Sequence, residues 1–204
     1  MTKQQVFYIH GATSFGEYQD FLEHLRTKEL RSPHGIKSEF WPSRLREELG
    51  AEFEVFTPSM PNSDNAKYEE WKIWFERHFE YLRDGVILVG WSQGGYFLAK
   101  YLTEETLPLK AKALYLIAAP CEPDDFGAED GGDFSFETSK LPQIMEQIPQ
   151  ITLMHSEDDF VVPYEHARKY KKLLPKAELV TFTDRNHFLQ PEFPELMGRL
   201  RSAG

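Results

Sequence analysis

The chain has 204 residues, of which 41% are hydrophobic and 27% charged, and it carries a net charge of −10 at pH 7. That is one-domain size with enough apolar mass to build its own core. The acid excess repels nucleic acid and anionic membrane alike, so neither is expected as a partner. The one cysteine excludes an internal disulfide framework and fits a reducing compartment.

The N-terminus "MTKQQVFYIHG" enters a strand almost at once and lacks the apolar core of a secretory signal. No stretch approaches the roughly 18 apolar residues of a membrane span. The expected compartment is therefore the cytoplasm. After a first strand at 6–9 comes the loop "HGATSFG" (10–16), a helix around 17–30, a loop holding His34 beside Pro33, and a helix at 43–49. A second strand, "FEVFT" (53–57), is followed by "AKYEEWKIWFERHFEYLR" (66–83). There Tyr68, Trp71, Phe75, Phe79 and Leu82 recur at three- and four-residue steps, which predicts one apolar stripe packed against a sheet. Strands at 86–91, 113–119, 151–155 and 179–183 then alternate with helices at 93–105, 164–174 and 194–202. The strand runs are continuously apolar rather than alternating, which suits strands covered on both faces.

This order predicts an α/β fold, a three-layer α/β/α sandwich on a mostly parallel sheet of about six strands with right-handed crossovers. Residues 1–204 are expected to form a single domain. Within it, the segment 121–140 reads as an acidic loop or minimal cap. Its acids Glu122, Asp124, Asp125, Glu129, Asp130 and Asp133 are expected to be solvated. Calcium-loop spacing is absent, and no metal or organic cofactor is expected.

Function is written most clearly in "VILVGWSQGGYFLAKYL" (86–102). "GWSQG" is G-x-S-x-G, and Ser92 is the only serine with glycine at both −2 and +2. The motif carries weight because a strand is predicted before it and a helix after it. A sharp strand-to-helix turn lifts the serine out of the sheet. Gly90 and Gly94 remove side chains that would clash, and Gly95 eases the same approach. The helix start supplies free N–H groups and a positive dipole end for a developing oxyanion.

A serine hydroxyl needs a base to become a nucleophile. Of seven histidines, His24, His78 and His166 lie in helical stretches and read as partly exposed surface residues. His155 ends an apolar strand and reads as a satisfied core histidine, with catalysis a minor alternative. His187 in "TDRNHFLQ" follows the last strand, where the serine–acid–histidine order puts the base. The acid is expected after "ITLMH", in "SEDDFVVP". Asp159 is preferred because the chain turns toward a helix at Pro163. Asp158 is the near alternative, Asp124 and Asp125 are weaker ones, and a turn or cap role competes for each. The backbone N–H groups of Gln93 and Ala12 are the expected oxyanion donors, with His10 bracing the Ala12 loop by hydrogen bonding.

"IHG", "GWSQGG", "SEDDFVVP" and "NHF" occur in α/β-hydrolase order along nearly the whole chain. The elbow is similar to that of the carboxylesterase and acyl-protein-thioesterase group. The short length and "MPNSDNAKYEEWKIWFE" (60–76) resemble the small retinoblastoma-binding-protein-9-like serine hydrolases. That resemblance implies a compact α/β-hydrolase with little lid and a triad of Ser92, Asp159 and His187. Trp91 departs from it by standing where many relatives have histidine, and the long stretch 17–41 is a candidate pocket wall. The expected function is hydrolysis of small to medium carboxylic esters, with thioesters included. Amidase or acyltransferase chemistry with the same triad, or a non-catalytic binding module on the same scaffold, are the alternatives. Phe15, Phe126, Phe160 and Phe188 are candidates for an apolar pocket wall, and Cys121 is not expected to be a nucleophile.

Overall fold

A computed structural model describes residues 2–29, 40–122 and 131–204. Among these residues the chain forms one six-stranded sheet from β1 (Gln4–Ile9), β2 (Phe53–Phe56), β3 (Val86–Trp91), β4 (Ala111–Ile117), β5 (Gln150–Ser156) and β6 (Glu178–Phe182). The spatial order is β2-β1-β3-β4-β5-β6, and every neighbouring pair is parallel. All six expected strands are present. The helices are α1 (Tyr18–Thr27), α2 (Leu45–Leu49), α3 (Tyr68–Arg77), α4 (Gln93–Glu104), α5 (Ile144–Gln147), α6 (Glu165–Leu173) and α7 (Pro194–Ala203). No helix among the described residues is long and apolar enough to cross a membrane.

The apolar runs divide between two cores because successive strand residues face opposite ways. In β3, Val86 and Leu88 join the core under α3, α4 and α5, whereas Ile87 and Val89 join the core under α2 and α7. Each such side chain contributes about 1.5–3 kcal/mol by leaving water. Burial on both faces is why the central strands read as unbroken apolar runs. At the edges the pattern weakens: β2 alternates buried with partly buried residues, and β6 has no fully buried residue.

The aromatic stripe packs as expected, with Trp71 and Phe75 wholly buried and Phe79 and Leu82 partly so. Its helix is shorter than the sequence pattern suggests, ending at Arg77 and tightening into a 3₁₀ turn over His78–Tyr81. Asp133 is exposed, as expected, and also accepts a 2.9 Å hydrogen bond from the Tyr68 N–H at the start of α3. A carboxylate there meets an orphan amide and the positive end of the helix. The rest of the acidic run from Asp124 to Asp130 lies outside the described residues, as does His34. In α1 no residue is fully buried.

The chain order reverses across β1 and β3, which are neighbours although β2 lies between them in sequence. In open parallel sheets a crevice forms at the carboxyl ends of strands flanking such a reversal. Helix α4 seats itself there by close contact with backbone. A Cβ on Gly94 would lie 2.2 Å from the Ile9 carbonyl oxygen, and one on Gly90 would lie 2.6 Å from the Gly95 nitrogen. Gly198, by contrast, is exposed on α7 with nothing within 4 Å of a Cβ. Gly94→Ala is therefore expected to destabilise by at least about 2 kcal/mol. Gly198→Ala is expected to stabilise by about 0.5–1 kcal/mol. Urea denaturation of the two variants checks both signs.

Candidate functional site

Ser92 sits between β3 and α4 with φ 54° and ψ −123°. A non-glycine residue at positive φ costs about 1–3 kcal/mol and persists only where its surroundings hold it. They do so here. The Ser92 N–H donates to the Ile117 carbonyl at 2.8 Å, and the Ser92 carbonyl accepts from the amides of Gly95 and Tyr96 at 2.9 and 3.1 Å. Gln93 is the first residue of α4, so its N–H has no acceptor within the helix.

The loop after β1 passes directly over this turn. A Cβ on Gly11 would stand 3.2 Å from the Ser92 Cβ and 3.6 Å from its Oγ. His10 braces the loop, as expected from sequence. Its Nε2 accepts the Met60 N–H at 2.9 Å, and Nδ1 lies 2.7 Å from the Gly11 carbonyl. Accepting at Nε2 leaves the proton on Nδ1, which donates to Gly11. Downstream, Thr13 and Ser14 bond to Ser63 and Ala66, and Lys67 Nζ donates to the Phe15 carbonyl at 2.6 Å.

His187 and Asp159 are brought together from loops after β6 and β5. His187 Nδ1 lies 2.9 Å from Asp159 Oδ2 and 3.1 Å from Oδ1. The Asp159 side chain is fully buried and that of His187 is only 7% exposed. A carboxylate acceptor fixes the proton on Nδ1 and leaves Nε2 with its lone pair. Asp159 Oδ1 also accepts the N–H groups of Val161 and Val162 at 2.8 and 2.9 Å, so the turn role and the histidine-orienting role fall on one residue.

The histidine loop in turn rests against the residue next to the serine. Trp91 Nε1 donates to the His187 carbonyl at 3.0 Å, and the indole and imidazole centroids are 5.6 Å apart. Ser92, Gly11 and Ala12, Asp159 and His187 thus all follow the carboxyl ends of strands in the same sheet.

Residues 34–192 match the family described as serine hydrolase. The chain belongs to the serine hydrolase family. It is 28% identical to serine hydrolase RBBP9 of Rattus norvegicus over 153 residues, which is 74% of this chain and 77% of that protein. Its fold is similar to that of the ydeN gene product from B. subtilis, with a TM-score of 0.75 at 20% identity over 98% of both chains. A putative ydeN-like hydrolase from Pectobacterium atrosepticum gives a TM-score of 0.65 at 16% identity, over 98% of this chain and 91% of that one. The α/β-hydrolase expectation is met by the fold.

Among the alternatives for the acid of this serine hydrolase, Asp158 is engaged elsewhere. Its Oδ1 accepts the Ser156 hydroxyl and, at 3.0 Å, the Asn186 N–H. The Ser156 hydroxyl, first among several donors, holds this carboxyl below the ordinary value of 3.8. Asp124 and Asp125 lie outside the described residues.

Of the four candidate wall residues, Phe15 and Phe188 are core, at 2% and 1% exposure, whereas Phe160 is 69% exposed. Phe126 lies outside the described residues. His166 differs from its surface reading. It is wholly buried, and its Nδ1 accepts the Cys121 N–H at 2.9 Å. Burial pushes the Cys121 thiol up to about 12, which makes it a poor nucleophile.

His155 is the core histidine expected, 2% exposed. Its Nε2 lies 2.8 Å from the Val162 carbonyl and 3.5 Å from Asp159 Oδ2. A carbonyl acceptor requires an Nε2–H, so the imidazole is oriented without needing a charge. Burial pushes it below its ordinary 6.5, the nearby His187 adding to this, against the opposing pull of the Val162 carbonyl and Asp159. On acidification the unfolded state therefore takes up this proton first, and stability is lost as pH falls below about 6.5. His155→Gln keeps a donor for Val162 and removes the titration. Denaturation measured between about pH 7.5 and about pH 5 should show a shallower acid loss in this variant than in wild type.

Proposed function

We propose that this serine hydrolase cleaves small to medium carboxylic esters, thioesters included, through an acyl-enzyme on Ser92. The observation that carries the reading is the buried Asp159–His187 hydrogen bond, held against Trp91 beside a strained serine. A turn that costs about 1–3 kcal/mol and a buried carboxylate aimed at an imidazole are difficult to account for in a chain that only needs to fold.

In this reading Ser92 Oγ attacks the acyl carbon while His187 Nε2 takes its proton. Asp159 keeps His187 in the Nδ1–H form and favours the imidazolium that results. The amides of Gln93 and Ala12 donate to the tetrahedral oxyanion. The His10 bond to the Gly11 carbonyl supports the second donor, because C=O and N–H of one trans peptide point in opposite directions. Collapse expels the alcohol, which leaves with the proton from His187. Water, deprotonated by the same imidazole, then attacks the acyl-enzyme, and collapse releases the acid as His187 returns that proton to Ser92 Oγ. No step calls on a metal or organic cofactor.

Phe160, exposed immediately after Asp159, offers an apolar surface for the acyl or alcohol portion. The single buried cysteine suits a reducing cytoplasm.

A fluorophosphonate probe should label the folded wild type, and labelling should vanish in Ser92→Ala. Absence of labelling in folded wild type would point to a binding module instead. His187→Ala and Asp159→Asn should each lower ester turnover at least about a hundredfold while leaving the circular dichroism spectrum unchanged. Near-wild-type turnover in His187→Ala would remove it as the base. Esters of graded chain length, assayed on wild type, should show kcat/KM rising and then falling within the small to medium range.

A further inference from the structure

We infer that Trp91 is a positioning residue that ties the His187 loop to the serine turn, with Trp41 as the second anchor. The inference rests on the proposed roles of Ser92 and His187 and concerns how the two are kept in register. The histidine loop is under strain. Phe188 has φ 57°, a rare and strained conformation for a bulky side chain, while Asn186 on the other side of His187 takes φ 48°, which asparagine tolerates. Two consecutive carbonyls in this loop are held by two indoles. Trp91 Nε1 donates to the His187 carbonyl at 3.0 Å, and Trp41 Nε1 donates to the Phe188 carbonyl at 3.1 Å. Trp41 adds a main-chain bond, its N–H donating to the Gln190 carbonyl at 3.0 Å. The indoles meet each other edge to face, with centroids 6.4 Å apart.

The anchors are not equivalent. Trp41 lies in a 3₁₀ turn before α2, only 1% exposed in the core, against Tyr8 and Phe193. Trp91 is the last residue of β3, covalently next to Ser92. A bond from Trp91 to His187 therefore fixes the loop relative to the backbone that also fixes the serine. Loss of that bond leaves the strained loop free to relax, and the imidazole moves relative to the hydroxyl. Sub-ångström changes in such a pair reduce rate more than affinity. The loss expected for one neutral hydrogen bond, its carbonyl left without a partner, is about tenfold.

The test compares wild type, Trp91→Phe, and a protein carrying 3-benzothienylalanine at position 91. The last replaces the indole N–H by sulfur and keeps the ring. Three readouts are needed: the rate of fluorophosphonate labelling, kcat and KM on one ester, and amide hydrogen exchange across 185–190. Both altered proteins should label and turn over about tenfold more slowly, with KM within about twofold of wild type, and their loop amides should exchange faster. Wild-type rates and exchange in the benzothienyl protein would overturn the tether while leaving the proposed function intact. Slowing in Trp91→Phe alone, with reduced melting temperature, would make Trp91 a packing residue and also overturn it. Failure of folded wild type to label would remove the proposed function and the tether's catalytic role together.

Discussion

The close approach of α4 to the ends of β1 and β3 is the constraint on which the rest depends. It admits no side chain at Gly90 or Gly94, and it forces Ser92 into positive φ. In exchange the chain obtains a serine lifted above the carboxyl edge of the sheet, with the first free amides of a helix beside it. The strain is held by three main-chain bonds to Ser92 and by the packing of α4, most of which is buried. A flexible loop could present the same hydroxyl, but without fixing its direction. Here the backbone is over-determined, so the side chain's position follows from the fold.

The opposite wall of the site is organised by one carboxylate. Asp159 closes its own turn through the amides of Val161 and Val162 and spends its remaining oxygen on His187. Asp158 does the complementary work, drawing in the Ser156 hydroxyl and the Asn186 amide. The two adjacent acids are thus divided between orienting an imidazole and docking the loop that carries it. Burial of Asp159 strengthens its hold on His187, because a carboxylate shielded from water interacts more strongly with a nearby donor.

Much of this was legible in the sequence, and for identifiable reasons. The four central strands announced themselves because burial on both faces leaves continuous apolar runs such as "VILVGW". Ser92 was marked by the glycines its turn demands, and Asp159 and His187 by the strand each follows. What stayed hidden depends on contacts between distant segments. Nothing near Trp41 or Trp91 in the chain indicates that their N–H groups meet adjacent carbonyls of one loop. His166 reads as a surface residue from its helix, yet the helix turns it toward the Cys121 amide. Asp133 keeps the exposure that its acidic surroundings suggest, but the helix start that it also meets comes from elsewhere in the chain. Periodicity reports which face is buried and is silent on which partner waits there.

The strand order has a consequence for the growing chain. β1 lies between β2 and β3, with Val6 paired to Val55 on one side and Ile87 on the other. During vectorial synthesis the first strand can acquire one neighbour early, but its second emerges from the ribosome only after the whole α3 segment. Until then a largely apolar strand has an open edge, and such edges recruit other chains. The β1 edge that faces β3 therefore stays unpaired until the chain has been synthesised through Trp91 and that segment has left the ribosome.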